Sequence, residues 1–400
     1  MITVVGIGAD GWAGLGDTAR AALRGAPRLV GSARQLELLP PEVTAPRRAW
    51  PSPMEPLVEE LTVSDEDACV LASGDPLLHG VGATLVRRAG AEHVRVLPHL
   101  SAFALACARL AWPAADVELI SAVGRAPEVI VPALQPGRRV VAYVTGPDGA
   151  ASLARVLCDR GMGASRFVVL EQLGGPREQI HDGTAERWGE RLADPLHAVA
   201  VEVAASDAAQ VHPRTPGLPD DAFGSDGQLT KRHVRAITVA ALAPRPGELL
   251  WDVGAGSGSI AIEWLRAERT ARAVAIEARA DRARRIAHNA LTLGVIPHLE
   301  VREGRAPDAL AGLPAPDVVF LGGGVTAAGL LDACWAALRS GGRLVANTVT
   351  LEGEQSVIAA HADHGGTLTR IDVAHAEPVG GFTGWRAQMT VVQWSATKER

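Results

Sequence analysis

The chain has 400 residues, of which 47% are hydrophobic, 21% charged and 4% aromatic, with 43 Gly, 26 Pro and a formal net charge of −6. At roughly 100–200 residues per domain this length implies two or three domains, and the acidic balance gives no electrostatic reason to expect a nucleic-acid backbone as partner. No uncharged stretch exceeds 14 residues, and one of that length, Val318 to Leu331, holds four glycines, short of the ~18–20 apolar residues of a membrane span, so no membrane partner is expected.

Met1 is followed by Ile-Thr-Val-Val and a glycine turn, with no basic leader region or small-residue cleavage site, which makes the cytoplasm the expected compartment. Short β-branched runs at Thr3 to Ile7, Ala68 to Ala72, Val94 to Leu97, Val117 to Ala122, Val140 to Val144, Phe167 to Glu171 and His197 to Val203 predict strands in the first half. Residues 206–229 then change character, with Pro213, Pro216, Pro219, Gly217, Gly224 and Gly227 among several Asp, and read as linker and lead-in. Beyond it, strands are predicted at Leu249 to Val253, Ala273 to Glu277, Leu299 to Arg302, Val318 to Leu321, Arg343 to Thr348, Leu368 to Val373 and Thr390 to Ser395. Ala/Leu/Arg-rich helical stretches separate the runs, a pattern of α/β layers with mainly parallel sheets in both halves. The downstream set suits a doubly wound sheet ending in an antiparallel pair. Cys69, Cys107, Cys158 and Cys334 fit neither a Cys-x-x-Cys metal site nor a disulfide scaffold; all four read as small buried apolar residues, and no metal is expected.

The strongest chemical signal is Leu249-Leu250-Trp251-Asp252-Val253-Gly254-Ala255-Gly256-Ser257-Gly258-Ser259, a strand entering a Gly-x-Gly-x-Gly turn ahead of a helix. Glycines let backbone approach a ligand closely, and the helix start offers free N–H groups. The next strand ends in Glu277, placed to accept hydrogen bonds from ribose hydroxyls. A dinucleotide site needs Gly-x-Gly-x-x-Gly instead. The turn found here, after an Asp-bearing strand, resembles that of S-adenosylmethionine-dependent methyltransferases, and Asp252 suits the cationic methionine end of that donor. In such enzymes the adenine lies after the third strand, here at Glu303-Gly304-Arg305-Ala306. The run Gly322-Gly323-Gly324 ends the fourth strand with a floor that admits a bulky flat acceptor.

With Gly217-Leu218-Pro219-Asp220-Asp221-Ala222-Phe223, Thr230-Lys231-Arg232-His233-Val234-Arg235 and Gly384-Trp385-Arg386 added to that turn, the second half resembles the decarboxylating precorrin methyltransferase domain of cobalamin biosynthesis. That resemblance assigns Thr230, Gly254, Ala255, Gly256, Ser257, Gly258, Glu277 and Ala306 to the donor, beside Asp252. In the first half, Val5-Gly6-Ile7-Gly8-Ala9-Asp10-Gly11 alone matches a dinucleotide motif weakly, and the following strand, Arg28 to Ser32, ends without an acid. Ala72-Ser73-Gly74-Asp75-Pro76, Pro98-His99-Leu100-Ser101-Ala102 and Glu171-Gln172-Leu173-Gly174-Gly175-Pro176 follow in order and resemble the tetrapyrrole methylase fold. Its donor-binding positions carry over to Gly8, Gly74, Asp75, Ser101 and Ala102.

The resemblances imply an α/β protein: a two-lobed tetrapyrrole methylase domain (residues 1–205) followed, past residues 206–229, by a Rossmann-like class I methyltransferase domain (residues 230–400). They imply S-adenosyl-L-methionine as cofactor, a small-molecule tetrapyrrole (precorrin) as substrate, methylation at carbons 5 and 15 with loss of carbon dioxide, and association into a homo-oligomer. The substrate's carboxylates call for local cations: Lys231, Arg232 and Arg235 before the donor site, with Arg343 and Arg386 near strand ends on the ligand side. No catalytic residue is assigned outright; His79, His99, Arg232 and Arg386 are the candidates. The competing readings are a methyltransferase for another tetrapyrrole with one domain inactive, an NAD-binding oxidoreductase and an RNA methyltransferase.

Overall fold

Apolar and β-branched runs become buried strands in both halves of the structure, a computed structural model that describes residues 1–399. The chain divides into two units, one of residues 1–127 and 133–211, the other of residues 128–132 and those from 212 onward.

In the first unit, β1 (Ile2–Ile7), β2 (Leu29–Gly31), β3 (Arg47–Ala49), β4 (Ala68–Ser73) and β5 (Val94–Leu97) pair in the order β3-β2-β4-β1-β5, parallel throughout. Val4, Val70 and Ala72 pack on one face; Val5, Ile7 and Leu71 pack on the other. Alternation to two apolar faces is what a parallel sheet covered by helices requires. A second sheet holds β6 (Val117–Ser121), β7 (Arg139–Tyr143), β8 (Arg166–Glu171), β9 (Gln179–Thr184) and β10 (His197–Glu202) in the order β6-β7-β10-β8-β9. Here the expectation of mainly parallel pairing fails. Only β6–β7 is parallel, because β8 turns directly into β9 and β10 returns between β7 and β8. Strands β3 and β9 escaped prediction because neither buries a face: β3 is exposed throughout and β9 is exposed or half-buried along its length.

The second unit is built on β11 (Leu249–Val253), β12 (Arg272–Glu277), β13 (Leu299–Glu303), β14 (Val318–Leu321), β15 (Arg343–Thr348), β16 (Thr367–Ile371) and a last strand, β19 (Val391–Thr397); β17 (Ala374–Val379) and β18 (Phe382–Ala387) form a separate hairpin. The order is β13-β12-β11-β14-β15-β19-β16, with β19 antiparallel to both neighbours. Leu250, Ala275 and Phe320 face one apolar layer, Trp251, Ile276 and Val319 the other. The hairpin closes on Gly380-Gly381 and leaves Val379, Phe382 and Trp385 62%, 84% and 80% exposed. Its lack of a buried face kept it out of the predicted set.

The Pro/Gly-rich segment is largely exposed but anchored at a few points. Leu218 and Phe223 are buried, and the extended backbone finds its acceptor in Glu263, whose Oε2 takes the Gly217 N–H at 2.6 Å and whose Oε1 takes that of Leu218 at 2.9 Å. Arg235, with a fully buried side chain, closes the group: its Nε donates to Glu263 at 2.6 Å, and its other nitrogens reach Asp220, the Thr230 carbonyl and the Leu218 carbonyl. The guanidinium also lies over the Phe223 ring. Arg235 is therefore committed inside the fold and is not a cation for a substrate. The same holds for Arg343, which starts β15 at the edge away from the glycine turns and binds Glu248 and the Leu242 and Ala243 carbonyls. Three cysteines are buried, but Cys158, last residue of the helix Gly149–Cys158, is exposed, because that position turns away from the core.

Breaking a buried ion pair by removing one partner typically costs about 3–5 kcal/mol. Glu263→Ala should lower the denaturant stability of the second unit by that order. Adding Arg235→Met to it should recover part of the loss.

Candidate active site

In a doubly wound sheet a cleft opens outside the carboxyl ends of the strands where their order reverses. In the second unit that place lies between β11 and β14, and the Gly322 N–H donates to the Val253 carbonyl across it at 3.1 Å. A cleft of about 880 Å³ opens there, lined by Thr230, Gly254, Ala255, Gly256, Ser257, Glu277 and Ala306, the Gly322–Gly324 loop, and the end of β15. The geometry brings these donor-assigned residues together. Gly254, Gly256 and Gly258 have φ of +73°, +60° and +75°, which side chains rarely adopt. At Gly258 a Cβ would meet Ile286 Cγ2 at 2.7 Å.

Glu277 is buried at the tip of β12. Its Oε2 accepts the Gly256 N–H at 2.9 Å and its Oε1 the Arg279 N–H at 3.0 Å. Two backbone donors hold the carboxylate in place, and each oxygen keeps a lone pair for a diol. The Ser257 hydroxyl is buried with no protein partner among the described residues. A glycine cradle, a fixed carboxylate and an orphaned hydroxyl at a helix start fit a nucleoside donor, with Glu277 for the ribose, Gly304 to Ala306 beside the base and Gly254 to Ser257 beneath the amino-acid end.

Asp252 stands apart from the cleft lining. It is 1% exposed, its Oδ2 accepts the Ala261 N–H at 3.1 Å, and its Oδ1 has no partner among the described residues. It fastens the first turn of the helix Ser259–Ala267 to β11. Burial pushes its carboxyl up to about 7, the Ala261 hydrogen bond opposing and the nearby Glu277 carboxylate adding to the rise.

Residues 227–230 line the cleft, and the residues just before them are tied down. Gly224 exchanges hydrogen bonds with the Asn289 amide, which also holds the Ser257 carbonyl. Asp226 meets Arg282 at 2.8 Å, with Arg279 and Arg285 at 3.7 Å, and the Arg282 hydrogen bond holds its carboxyl down to about 2. Of the basic residues expected near the donor, Lys231 lines the cleft and Arg232 does not; Arg232 donates to the Gly217 carbonyl. Arg386 lies on the exposed hairpin, paired with Glu377 at 3.1 Å, outside the cleft lining. Asn347, Thr348, Thr350, Gln388 and Met389 line the cleft without having been anticipated. Polar residues ending the otherwise apolar β15 were the available signal.

In the first unit, β1, β4 and β5 lie side by side in parallel, with Ile7 opposite Ser73 and Val5 opposite Leu97. Their following loops therefore share one edge. Gly6 permits this: a Cβ there would run into the Gly74 carbonyl and meet the His99 backbone nitrogen at 2.7 Å. Gly8 is hemmed in likewise by Asp10 and His99, and Gly74 takes φ +58°. Ser101 caps the helix Ala102–Leu110 by accepting the Ala104 N–H. Asp75 folds onto the Leu77 N–H. His99 Nε2 lies 3.1 Å from Asp10 Oδ1, a pairing that sequence reasoning missed. The partner carboxylate orients the imidazole. His79, held at φ +60°, packs edge-on to Tyr143 at 6.2 Å between ring centres, and the Tyr143 hydroxyl accepts the Phe103 N–H. Gly8, Gly74, Asp75, Ser101, Ala102, His79 and His99 thus belong to neighbouring loops at one sheet edge. Among the described residues no helix is long and apolar enough to cross a membrane.

Two family models match: tetrapyrrole (corrin/porphyrin) methylases over residues 1–188 and the precorrin methyltransferase domain over residues 221–398. A precorrin-6Y C(5,15)-methyltransferase [decarboxylating] from Mycobacterium tuberculosis is 49% identical over 401 aligned residues, covering 100% of both chains. A cobalt-precorrin-7 C(5)-methyltransferase from Salmonella typhimurium is 34% identical over 45% of this chain and 89% of its own. A probable cobalt-precorrin-6B C(15)-methyltransferase (decarboxylating) from Pyrobaculum calidifontis is 32% identical over 42% of this chain and 89% of its own.

The raised Asp252 carboxyl gives a pH test. Its folded value of about 7 lies above the ~3.9 of an unfolded chain, so its stabilising contribution is complete below that lower value and is lost as pH rises through 7. Without ligand, the melting-temperature advantage of Asp252→Asn over the parent should widen between pH 4 and 7 and then level off.

Proposed function

Since the chain belongs to the decarboxylating precorrin-6Y C(5,15)-methyltransferases, we infer that it methylates a precorrin-6 intermediate at carbons 5 and 15 and decarboxylates the ring C acetate, which loses its carboxyl group as carbon dioxide and stays on the ring as a methyl, giving precorrin-8 in cobalamin biosynthesis. S-adenosyl-L-methionine supplies an electrophilic methyl group on a sulfonium. We assign carbon 5 to the amino-terminal unit, and carbon 15 with decarboxylation to the carboxy-terminal unit. Two relatives named for one position each, matching 45% and 42% of the chain, support dividing the two methylations between separate units.

The observation that carries the reading is the full-length match joined to two separate glycine-built sites. Transfer of a methyl from sulfur to carbon is an in-line displacement that needs no covalent nucleophile; holding the reactants aligned is worth up to ~7–11 kcal/mol. In the second unit Glu277, Gly254 to Ser257 and Ala306 hold the donor, and the Gly322–Gly324 floor leaves room for a flat macrocycle. In the first, Gly8, Gly74, Asp75, Ser101 and Ala102 form the donor edge, and His99, oriented by Asp10, handles the proton. Loss of carbon dioxide sends its electron pair into the macrocycle, so the protein must bind and orient the acetate. We place the enzyme in the cytoplasm and propose that it self-associates, which the exposed Phe382 and Trp385 support, since large apolar patches mark contact surfaces.

Mass spectrometry of the product from precorrin-6Y and the donor should show two added methyl groups and one lost carbon dioxide, and S-adenosylhomocysteine should bind at two sites per chain. One methyl and one site would favour the alternative in which one unit is inactive. Sedimentation should show an oligomer for the parent and smaller species for Phe382→Asp combined with Trp385→Asp.

A further inference from the structure

Strand β19 runs through the interior of the sheet of the second unit, yet it carries Gln393, 4% exposed, directly opposite Asn347 on β15. The helix Arg232–Leu242 adds Thr238, fully buried. Apolar residues at 238 and 393 would fill the same volume without desolvating polar groups.

The hydrogen bonds fix every orientation in this group. Thr238 Oγ1 lies 2.7 Å from the Val234 carbonyl, which can only accept, so the hydroxyl hydrogen is committed there. Oγ1 must then accept from its other neighbours, Asn347 Nδ2 at 2.8 Å and Gln393 Nε2 at 3.3 Å. Gln393 Nε2 spends its second hydrogen on Asn347 Oδ1 at 2.9 Å. Flipping Asn347 would set its Nδ2 against Gln393 Nε2, donor against donor, and flipping Gln393 would set its Oε1 against Asn347 Oδ1, acceptor against acceptor. Asn347 keeps one uncommitted N–H, and this residue, half-buried, lines the cleft.

Its place in the sheet says which end of the cleft it serves. The nucleoside-fitting residues follow β11, β12 and β13, whereas β15 lies two strands from β11 on the other side, about 10 Å away at ~4.8 Å per strand. Val349, Met389 and Val391 line the cleft beside it. Apolar walls strengthen a hydrogen bond to an anion.

We propose that Asn347 is a substrate-contacting residue, donating its N–H to a side-chain carboxylate of the tetrapyrrole acceptor; the assignment rests on the function given above. Thr238 and Gln393 are positioning residues that aim it.

The test uses the full-length enzyme and follows carbon dioxide release against acceptor concentration, with S-adenosylhomocysteine binding measured in parallel. Asn347→Ala should raise the acceptor KM roughly 10- to 100-fold and leave S-adenosylhomocysteine affinity within about twofold. Asn347→Asp, the same shape but an anion facing an anion, should be worse than Ala, a result that lost packing alone would not produce. Gln393→Met should raise KM less than Asn347→Ala. Should Asn347→Ala not fold, Asn347→Ser carries the same expectation. Unchanged KM, an Asp variant equal to the parent, or S-adenosylhomocysteine binding weakened as much as KM would each overturn the proposal. A parent that releases no carbon dioxide from precorrin-6Y would instead overturn the function on which it rests.

Discussion

The second unit turns on one buried contact, Arg235 against Glu263, with side chains 0% and 1% exposed. An extended, proline-punctuated segment cannot satisfy its own backbone groups. Glu263 accepts from Gly217 and Leu218, and Arg235 donates to the Leu218 and Thr230 carbonyls. The pair ties the segment before the helix Arg232–Leu242 to the helix after the glycine turn. The stretch from Gly224 to Thr230, whose residues 227–230 line the cleft, is held by that tie at one end and by Asn289 and Arg282 at the other. An apolar pair could fill the volume, but it could not accept two N–H groups and donate to two carbonyls.

Both units solve the same steric problem with different architectures. A ligand that must lie against backbone needs positions where no Cβ intrudes, and parallel strands offer these where their carboxyl-end loops converge. In the first unit the convergence is of loop upon loop, Gly6 against Gly74 and His99. In the second it is of turn upon helix, Gly258 against Ile286. Glycine serves backbone packing as much as ligand approach, since Gly6 and Gly258 are closed in by protein atoms.

What could be read from residues alone follows from burial. Strands with two apolar faces were legible to within one or two residues, as were the glycine turn and the acid at the tip of β12. Strands β3 and β9 and the β17–β18 hairpin have no buried face and so left no hydrophobic pattern. Charge was the harder case. Arg235 and Arg343 look like surface cations in a list of residues, and nothing local reveals that Glu263 and Glu248, 28 and 95 positions away, neutralise them. Asp10 went unseen as a partner for His99, 89 positions distant, and Asn347 for the same reason: its significance lies in Gln393 and Thr238, which only folding brings near.

The uneven burial of the four thiols has a practical side. Burial raises Cys107 and pushes Cys69 and Cys334 up to about 12, which leaves almost no thiolate on them near neutrality. Cys158 alone is exposed; partial burial, then the Glu186 and Asp159 carboxylates, raise its thiol too. A maleimide dye applied to the native enzyme under mildly alkaline conditions therefore goes on at one place, in the amino-terminal unit, with no engineered cysteine. The molecule comes with its own attachment point for fluorescence anisotropy or distance measurements.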